Sequence, residues 1–141
     1  MIIRHIPYLL FYWIATIAMV GVIACRPHLD KDLSVALEGV PEEVDFNIHI
    51  KPLLSDRCFK CHGPDANKRE AGLRLDIRDS AYSQLPEHPG HYAIKPGNLR
   101  RSEVFHRILS SDPDDKMPPP KSNVSLTNRE KALLIRWMEQ G

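Results

Sequence analysis

DRCFKCHGPDANKREAGLRLD, the stretch from Asp56 to Asp76, contains two of the three cysteines of this chain, with His62 directly after the second one. If the 3 cysteines and 7 histidines were scattered at random over the 141 residues, a Cys-x-x-Cys-His pattern would arise in roughly three chains in a thousand. Covalent haem attachment needs two thiols that add across the vinyl groups of one porphyrin and a histidine that ligates the iron. A single helical turn presents Cys58, Cys61 and His62 together, so the motif predicts attachment of haem c with His62 as proximal ligand.

Other uses of the two cysteines remain open at this point. A redox dithiol usually begins a helix in a thioredoxin-like βαβ unit, and no such strands are predicted around Cys58. A zinc site needs a second pair of ligands, which His88 and His91 can supply by spacing. A disulfide between the two cysteines is the third alternative. With a disulfide or a zinc ion, the chain would be a binding module without haem.

The sixth position of a haem iron decides between electron transfer and chemistry on a small ligand. The candidate for this position is Met117, in DDKMPPPKSN, which comes 55 residues after His62. The three prolines after it hold the backbone extended and restrict its motion, as a metal-binding loop requires. Ligation by a thioether raises the reduction potential and favours an electron carrier. The other candidates are His88, His91 and His106, while Met138 is expected in the core and Met19 in the N-terminal apolar segment.

The N-terminal segment predicts export. Residues Ile6 to Ala24 carry no charge and follow Arg4, as in a secretory signal, and their 19 residues are just enough to span a bilayer. The sequence VIAC, from Val22 to Cys25, resembles a bacterial lipobox, which makes Cys25 a lipidation candidate and the mature N-terminus. The alternative is an uncleaved membrane anchor. Both interpretations predict a membrane-associated domain on the periplasmic side.

Charge excludes one broad class of partner. The chain has 19 basic and 18 acidic residues and a formal net charge of +1. A balanced chain offers no electrostatic basis for binding nucleic acid.

The sequence predicts three regions: residues 1–24 as export signal or membrane anchor, 25–44 as linker, and 45–141 as folded domain. Residues 25–44 contain Pro27 and Pro41 and lack a sustained helical or strand period. We therefore expect folded structure to begin near Asp45.

Within 45–141 the pattern predicts helices at both ends and one between them. Apolar residues at helical spacing over 46–54 predict a first helix. Because proline is unfavourable in a helix interior, this helix is expected to be short, to be kinked, or to start close to Pro52. Ser102 is placed as the N-cap of a second helix, and Thr127 with Glu130 forms a capping-box pattern for the last. The first and last helices are expected to make contact through Phe46, Ile50, Leu133, Leu134 and Trp137.

The region between the first two helices shows only short patterns. Alternation at Leu73, Leu75 and Ile77 predicts a short strand or an extended turn, and residues 80–85 a helical turn. Nothing in this region predicts a large sheet.

Four stretches of the chain, taken in order, resemble the cytochrome c module of planctomycete proteins. They are VDFNIHIKPLLSDRCFKCHGPDANKREAGLRLD, IKPGNLRRSEVFHRI, DDKMPPP and LTNREKALLIRWMEQG, which together cover about Val44 to Gly141. The resemblance implies a mainly α, class I cytochrome c-like fold around one covalently bound haem. It also implies that Cys58 and Cys61 are the thioether sites, His62 the proximal ligand and Met117 the distal ligand. In that family the module commonly lies near the N-terminus of a large exported protein, so this chain is expected to be a truncated product or a fragment.

The function expected from these patterns is that of a membrane-tethered monohaem cytochrome that exchanges single electrons with redox partner proteins. Such a domain has no catalytic residue of its own, because the protein only tunes the haem. The alternative is a haem-containing electron-input or small-ligand site of a larger oxidoreductase.

Overall fold

Helices and the turns between them make up the part of the chain that the computed structural model describes, residues 29–141. The α-helices in chain order are α1 (Lys31–Glu38), α2 (Lys51–Arg57), α3 (Phe59–His62), α4 (Arg78–Ala81), α5 (Glu103–Leu109) and α6 (Asn128–Gln140). A π-helical turn occupies Phe46–Ile50, and 3-10 turns occupy Leu99–Arg101 and Pro120–Ser122. Residues 29–141 contain isolated β-bridges but no strand. The prediction of a mainly α fold is thus confirmed.

Pro52 determines where the helix before the cysteines begins. Helix α2 starts at Lys51 with Pro52 in its first turn, where the missing backbone N–H has no intrahelical partner to lose. The preceding π-helical turn is capped by Asp45, whose carboxylate accepts a hydrogen bond of 2.8 Å from the Ile48 backbone N–H. The predicted interruption of this helix near Pro52 is confirmed.

The last helix begins as its capping-box pattern predicts. The Glu130 backbone N–H donates to the Thr127 hydroxyl at 3.2 Å, and the Thr127 backbone N–H donates to the Glu130 carboxylate at 2.7 Å. These two bonds satisfy backbone donors that a helix N-terminus otherwise leaves without partners. The apolar face of α6 is buried, including Met138, which lies in the core as expected.

The two ends of the predicted domain meet, as the sequence predicts. The rings of Phe46 and Trp137 lie 5.6 Å apart, and Ile50 and Leu134 are fully buried. Leu133, from the same predicted contact, is half-buried.

Residues 31–38, which the sequence analysis placed in a linker, form a helix instead. Helix α1 packs against α6, and Leu33 is buried with only 1% of its surface exposed. The Arg136 guanidinium donates to the Leu37 carbonyl at 3.1 Å. This helix is only eight residues long, and its apolar face, Leu33, Ala36 and Leu37, shows the helical spacing once, so it depends on tertiary packing for its stability. The compact unit therefore begins at Lys31 and not near residue 45.

Ser102 precedes α5 as predicted, but its side chain does not cap the helix. The buried hydroxyl donates to the Asn98 carbonyl at 2.8 Å and accepts from the Lys95 backbone N–H at 2.9 Å. Ser102 therefore fixes the loop before the helix.

The alternation around Leu75 is an extended turn in the structure. Leu75 is buried and Leu73 half-buried, whereas Ile77 is exposed. The helical turn predicted for residues 80–85 lies slightly earlier, at α4.

The predictions for residues 1–24, for Cys25 and for Met19 fall outside the described residues. Within residues 29–141, no helix combines the length and apolar character that a membrane span requires.

Candidate functional site

A cavity of about 500 Å³ brings the residues predicted from the sequence together. Its wall includes Cys58, Cys61, His62 and Met117. Its volume is in the range of cavities that bind cofactors and other small molecules. The candidate thioether sites and both candidate axial ligands therefore share one cavity.

Local backbone structure places the cysteines beside each other. Cys58 lies at the junction of α2 and α3, and its carbonyl accepts hydrogen bonds from the backbone N–H groups of Cys61, at 3.1 Å, and His62, at 2.8 Å. This short turn carries Cys61 and His62 back to the side of Cys58. Both cysteines are half-buried and free, so no disulfide joins them and both thiols are available for another bond.

The protonation of Cys58 argues against a reactive dithiol. Burial, with a smaller contribution from neighbouring Cys61, raises the pKa of the Cys58 thiol to about 11. A catalytic redox dithiol depends on a lowered pKa that makes the thiolate available at neutral pH.

His62 has the environment of a ligand. The segment after it returns to cover α3, with the Glu70 N–H donating to the Cys61 carbonyl and the Leu75 N–H to the His62 carbonyl, each at 2.8 Å. Burial lowers the pKa of His62, against an opposing effect of Glu70, and so favours the neutral imidazole that binds metals. Its Nδ1 atom is buried without a hydrogen-bond partner. A buried polar atom in this state is costly unless a ligand or another partner completes the site.

Met117 reaches the cavity wall from the loop between α5 and α6. Its backbone N–H donates to the Arg107 carbonyl at 3.0 Å, and Pro118 and Pro119 line the cavity beside it. The prolines limit the backbone angles open to this part of the loop. The side chain is half-buried, and its thioether is a soft donor suited to haem iron.

The histidines considered as alternative ligands separate into two groups. His88 lines the cavity, whereas His91 and His106 are absent from its described wall. The rings of His91 and His106 lie 6.1 Å apart, and His106 Nε2 hydrogen-bonds the Arg100 carbonyl at 2.9 Å. Across residues 29–141, no group of three or more His, Cys, Asp or Glu side chains is arranged to hold a metal ion. The pairing of the cysteines with His88 and His91 around zinc therefore has no support in the structure.

The rest of the wall is mainly apolar, and most of it was not predicted. Its aliphatic residues come from separate segments of the chain: Leu73, Leu75, Leu85, Ala93, Val104, Ile108, Val124 and Leu126. Two patterns could have identified some of them, the alternation of Leu73 with Leu75 and the i,i+4 spacing of Val104 with Ile108. The charged wall residues are three acidic and three basic: Asp56, Glu87, Glu103, Arg57, Lys60 and Arg107. The cavity therefore has no strong preference for a ligand of one charge.

These residues fit a covalently held porphyrin. The cavity offers a mainly apolar wall for the macrocycle, two free thiols for its vinyl groups, and a half-buried imidazole whose buried Nδ1 has no hydrogen-bond partner. Cys58 and Cys61 would hold the group, with His62 and Met117 as axial ligands. A haem held there supplies one-electron redox chemistry.

Comparison with known families identifies the segment that carries this site. Residues 58–121 match the family model described as Planctomycete cytochrome C. Neither the curated proteins nor the solved structures include a match to the chain. The matched segment contains Cys58, Cys61, His62 and Met117, and the cytochrome c family indicates a haem-binding electron-transfer domain with covalently bound haem c. For residues 58–121, the match confirms the recognition of a planctomycete-type cytochrome c domain.

Proposed function

We propose that this protein is an exported, membrane-tethered monohaem c-type cytochrome that carries single electrons between redox partner proteins. The main observation in support of the proposal is that one cavity is lined by Cys58, Cys61, His62 and Met117. The two cysteines form the thioether bonds to haem, His62 is the proximal ligand and Met117 the distal ligand. An iron with protein ligands on both sides exchanges electrons without binding a substrate.

Two features of the sequence support the finer parts of the proposal. The chain contains a single Cys-x-x-Cys-His motif, which supports one haem. The apolar segment 6–24 and Cys25 support export and a tether, through a lipid on Cys25 or through the segment itself.

The test is expression of the full chain with export and haem-maturation machinery, followed by optical spectra of the oxidised and reduced forms and a haem-stained denaturing gel. Wild-type protein should carry covalent haem and show a methionine–iron charge-transfer band when oxidised. Met117→Ala should keep the haem and lose the band. The matched control is Met138→Leu, which changes a buried core methionine and should keep both.

Each other outcome contradicts a stated part of the proposal. Covalent haem without the band in wild type, or with a band that Met117→Ala leaves unchanged, excludes Met117 and favours the small-ligand site or another ligand such as His88. If the wild type carries no haem while a known cytochrome matures in the same cells, the haem assignment fails. The double variant Cys58→Ala/Cys61→Ala should carry no covalent haem.

The tether is tested separately by membrane fractionation and mass spectrometry of Cys25→Ser. Wild-type protein that begins at Cys25 and carries an added lipid mass, absent from this variant, supports lipidation, and wild-type protein that retains residues 1–24 supports an uncleaved anchor. Recovery of wild-type protein in the cytoplasm would contradict export.

A further inference from the structure

Arg107, near the end of α5, is held at the cavity wall by an ion pair within its own helix. Its Nε donates to the Glu103 carboxylate one turn earlier at 3.0 Å. Both side chains are largely buried and both residues line the cavity. Because the guanidinium is planar and rigid, a bond at Nε fixes the direction of its remaining N–H groups.

Those remaining groups point to the loop that carries Met117. One terminal nitrogen of Arg107 donates to the Asp115 backbone carbonyl at 3.4 Å and lies 3.6 Å from the Asp115 carboxylate. The Arg107 backbone carbonyl accepts from the Met117 N–H at 3.0 Å. Arg107 is therefore bonded to this loop at two residues: at Asp115 through its guanidinium and at Met117 through its backbone carbonyl.

The loop has few other attachments. Residues 111–115 are exposed, and the other hydrogen bonds found for residues 112–116 join them to each other or to neighbouring Ser110. Exposed segments with few contacts open at low free-energy cost. On the N-terminal side of Met117, the loop is therefore joined to the rest of the domain through Arg107, and of the two attachments only the one to Asp115 depends on the Arg107 side chain.

We propose that Arg107 is a positioning residue that keeps the Met117 thioether at the haem iron by holding its loop through Asp115. The inference rests on the proposed function, because it takes Met117 as the distal ligand. It adds a residue that positions a ligand without being one: Arg107 shifts the loop toward the arrangement in which Met117 ligates the iron.

A purely electrostatic role of Arg107 makes a different prediction. The positive charge of Arg107 acts on His62, so removal of the charge alone can alter the properties of a bound haem. Arg107→Lys separates the two roles, since lysine keeps the charge but lacks the planar fork that contacts Glu103 and the Asp115 carbonyl together. If Arg107 acts by positioning the loop, Arg107→Lys should have the same effect on Met117 ligation as complete loss of the side-chain contacts. If only its charge matters, Arg107→Lys should behave like the wild type.

The experiment compares the haem-loaded wild type with Arg107→Lys, Arg107→Gln and the control Arg78→Gln. Arg78 is exposed, lies outside the described cavity wall, and its replacement removes the same charge. The readouts are the haem-stained gel, the methionine–iron charge-transfer band, and the affinity for added imidazole, which competes with Met117. We expect both Arg107 variants to keep covalent haem, to show a weaker band, and to bind imidazole up to about tenfold more tightly, since loss of a charged hydrogen bond shifts an opening equilibrium by about that factor.

The two proposals fail in different ways. Absence of the band in wild-type protein contradicts the proposed ligand set. A wild-type band that persists unchanged in Arg107→Lys, with unchanged imidazole affinity, overturns the positioning role alone. If the Arg107 variants do not accumulate, Glu103→Ala decides the question, because it releases the guanidinium while leaving Arg107 in place. A reduced band and tighter imidazole binding support the role, and wild-type values overturn it.

Discussion

Gly63 shows how closely the chain is packed directly after the haem motif. A Cβ atom at this position would collide with the Phe59 carbonyl oxygen and would lie 2.7 Å from the Phe59 Cβ. The backbone of Gly63 is extended, with φ of −126°, so the requirement for glycine is steric rather than conformational. The chain can leave α3 beside Phe59 only because residue 63 has no side chain.

We predict that Gly63→Ala destabilises the haem-loaded protein by about 1–3 kcal/mol, the usual cost of forcing an added methyl group into a packed site. Urea unfolding followed by circular dichroism measures the change. Gly39→Ala is the control, since its Cβ would meet its nearest neighbour at an ordinary 3.6 Å. Equal effects of the two substitutions would show that the contact with Phe59 is not the cause.

For single residues, the sequence is enough to predict a site when local spacing brings its members together. Cys58, Cys61 and His62 were predictable because one turn brings them together, and Met117 because of the prolines that follow it. Arg107 was not predictable, because its partner Asp115 belongs to an irregular loop whose course no sequence period reveals.

Helix α1 is the element that the sequence analysis missed. An amphipathic helix is recognised by repeated apolar positions, and the eight residues of α1 show that spacing only once, at Leu33, Ala36 and Leu37. What stabilises it is the surface of α6, and that surface is invisible in the sequence of α1. The last helix was predictable for the opposite reason, since its cap and its apolar stripe both lie within its own sequence.

The packing of α1 predicts a large difference between two neighbouring substitutions. Leu33→Ala should lower the free energy of unfolding by about 2 kcal/mol or more, because it leaves a cavity between α1 and α6. Val35→Ala should change it by less than about 0.5 kcal/mol, because Val35 is 60% exposed. Thermal unfolding of the two haem-loaded variants gives the comparison. A small effect of Leu33→Ala would mean that α1 adds little to the stability of the domain.

Glu130 connects α6 to the helix that leads into the cysteines. Its carboxylate accepts from Arg57 Nε at 2.9 Å and from the backbone and hydroxyl of Thr127. Burial raises the pKa of Glu130, but the hydrogen bonds from Thr127 and Arg57 outweigh this effect, so the net pKa lies below its usual range. A carboxylate with a lowered pKa stabilises the fold above its unfolded-state pKa, and this stabilisation is lost as the pH falls through the folded-state pKa.

We predict that Glu130→Gln is less stable than wild type at pH 7 by about 1 kcal/mol, since it weakens a helix cap and a partly exposed ion pair. The difference should shrink as the pH falls below about 4.5, where wild-type Glu130 also becomes neutral. Thermal unfolding of the haem-loaded proteins between pH 3 and pH 7 measures it. Glu139→Gln, an exposed position on the same helix, should show no such trend. A constant difference at all pH values would mean that the charge of Glu130 does not matter.

At the scale of the whole molecule, the helical class was predictable but the assembly was not. Apolar stripes and caps predict where helices lie, and the haem motif predicts what they surround. The cavity wall, by contrast, draws its apolar residues from α5 and from turns between residues 71 and 126, and these residues meet only in the folded chain. Tertiary hydrogen bonds such as that from Leu75 to His62 fix these turns, and no local pattern encodes them.

Val44 and Gln140 hold each other in a reciprocal pair. The Val44 N–H donates to the Gln140 side-chain oxygen, and the Gln140 side-chain nitrogen donates to the Val44 carbonyl, each at 2.9 Å across 96 positions of sequence. A chain emerging from the ribosome cannot form this pair until nearly the last residue of α6 has been made. The structure thus implies that the domain closes only when its two ends meet, so an exported chain presents the Cys58–His62 turn in an incompletely packed domain until the final helix docks.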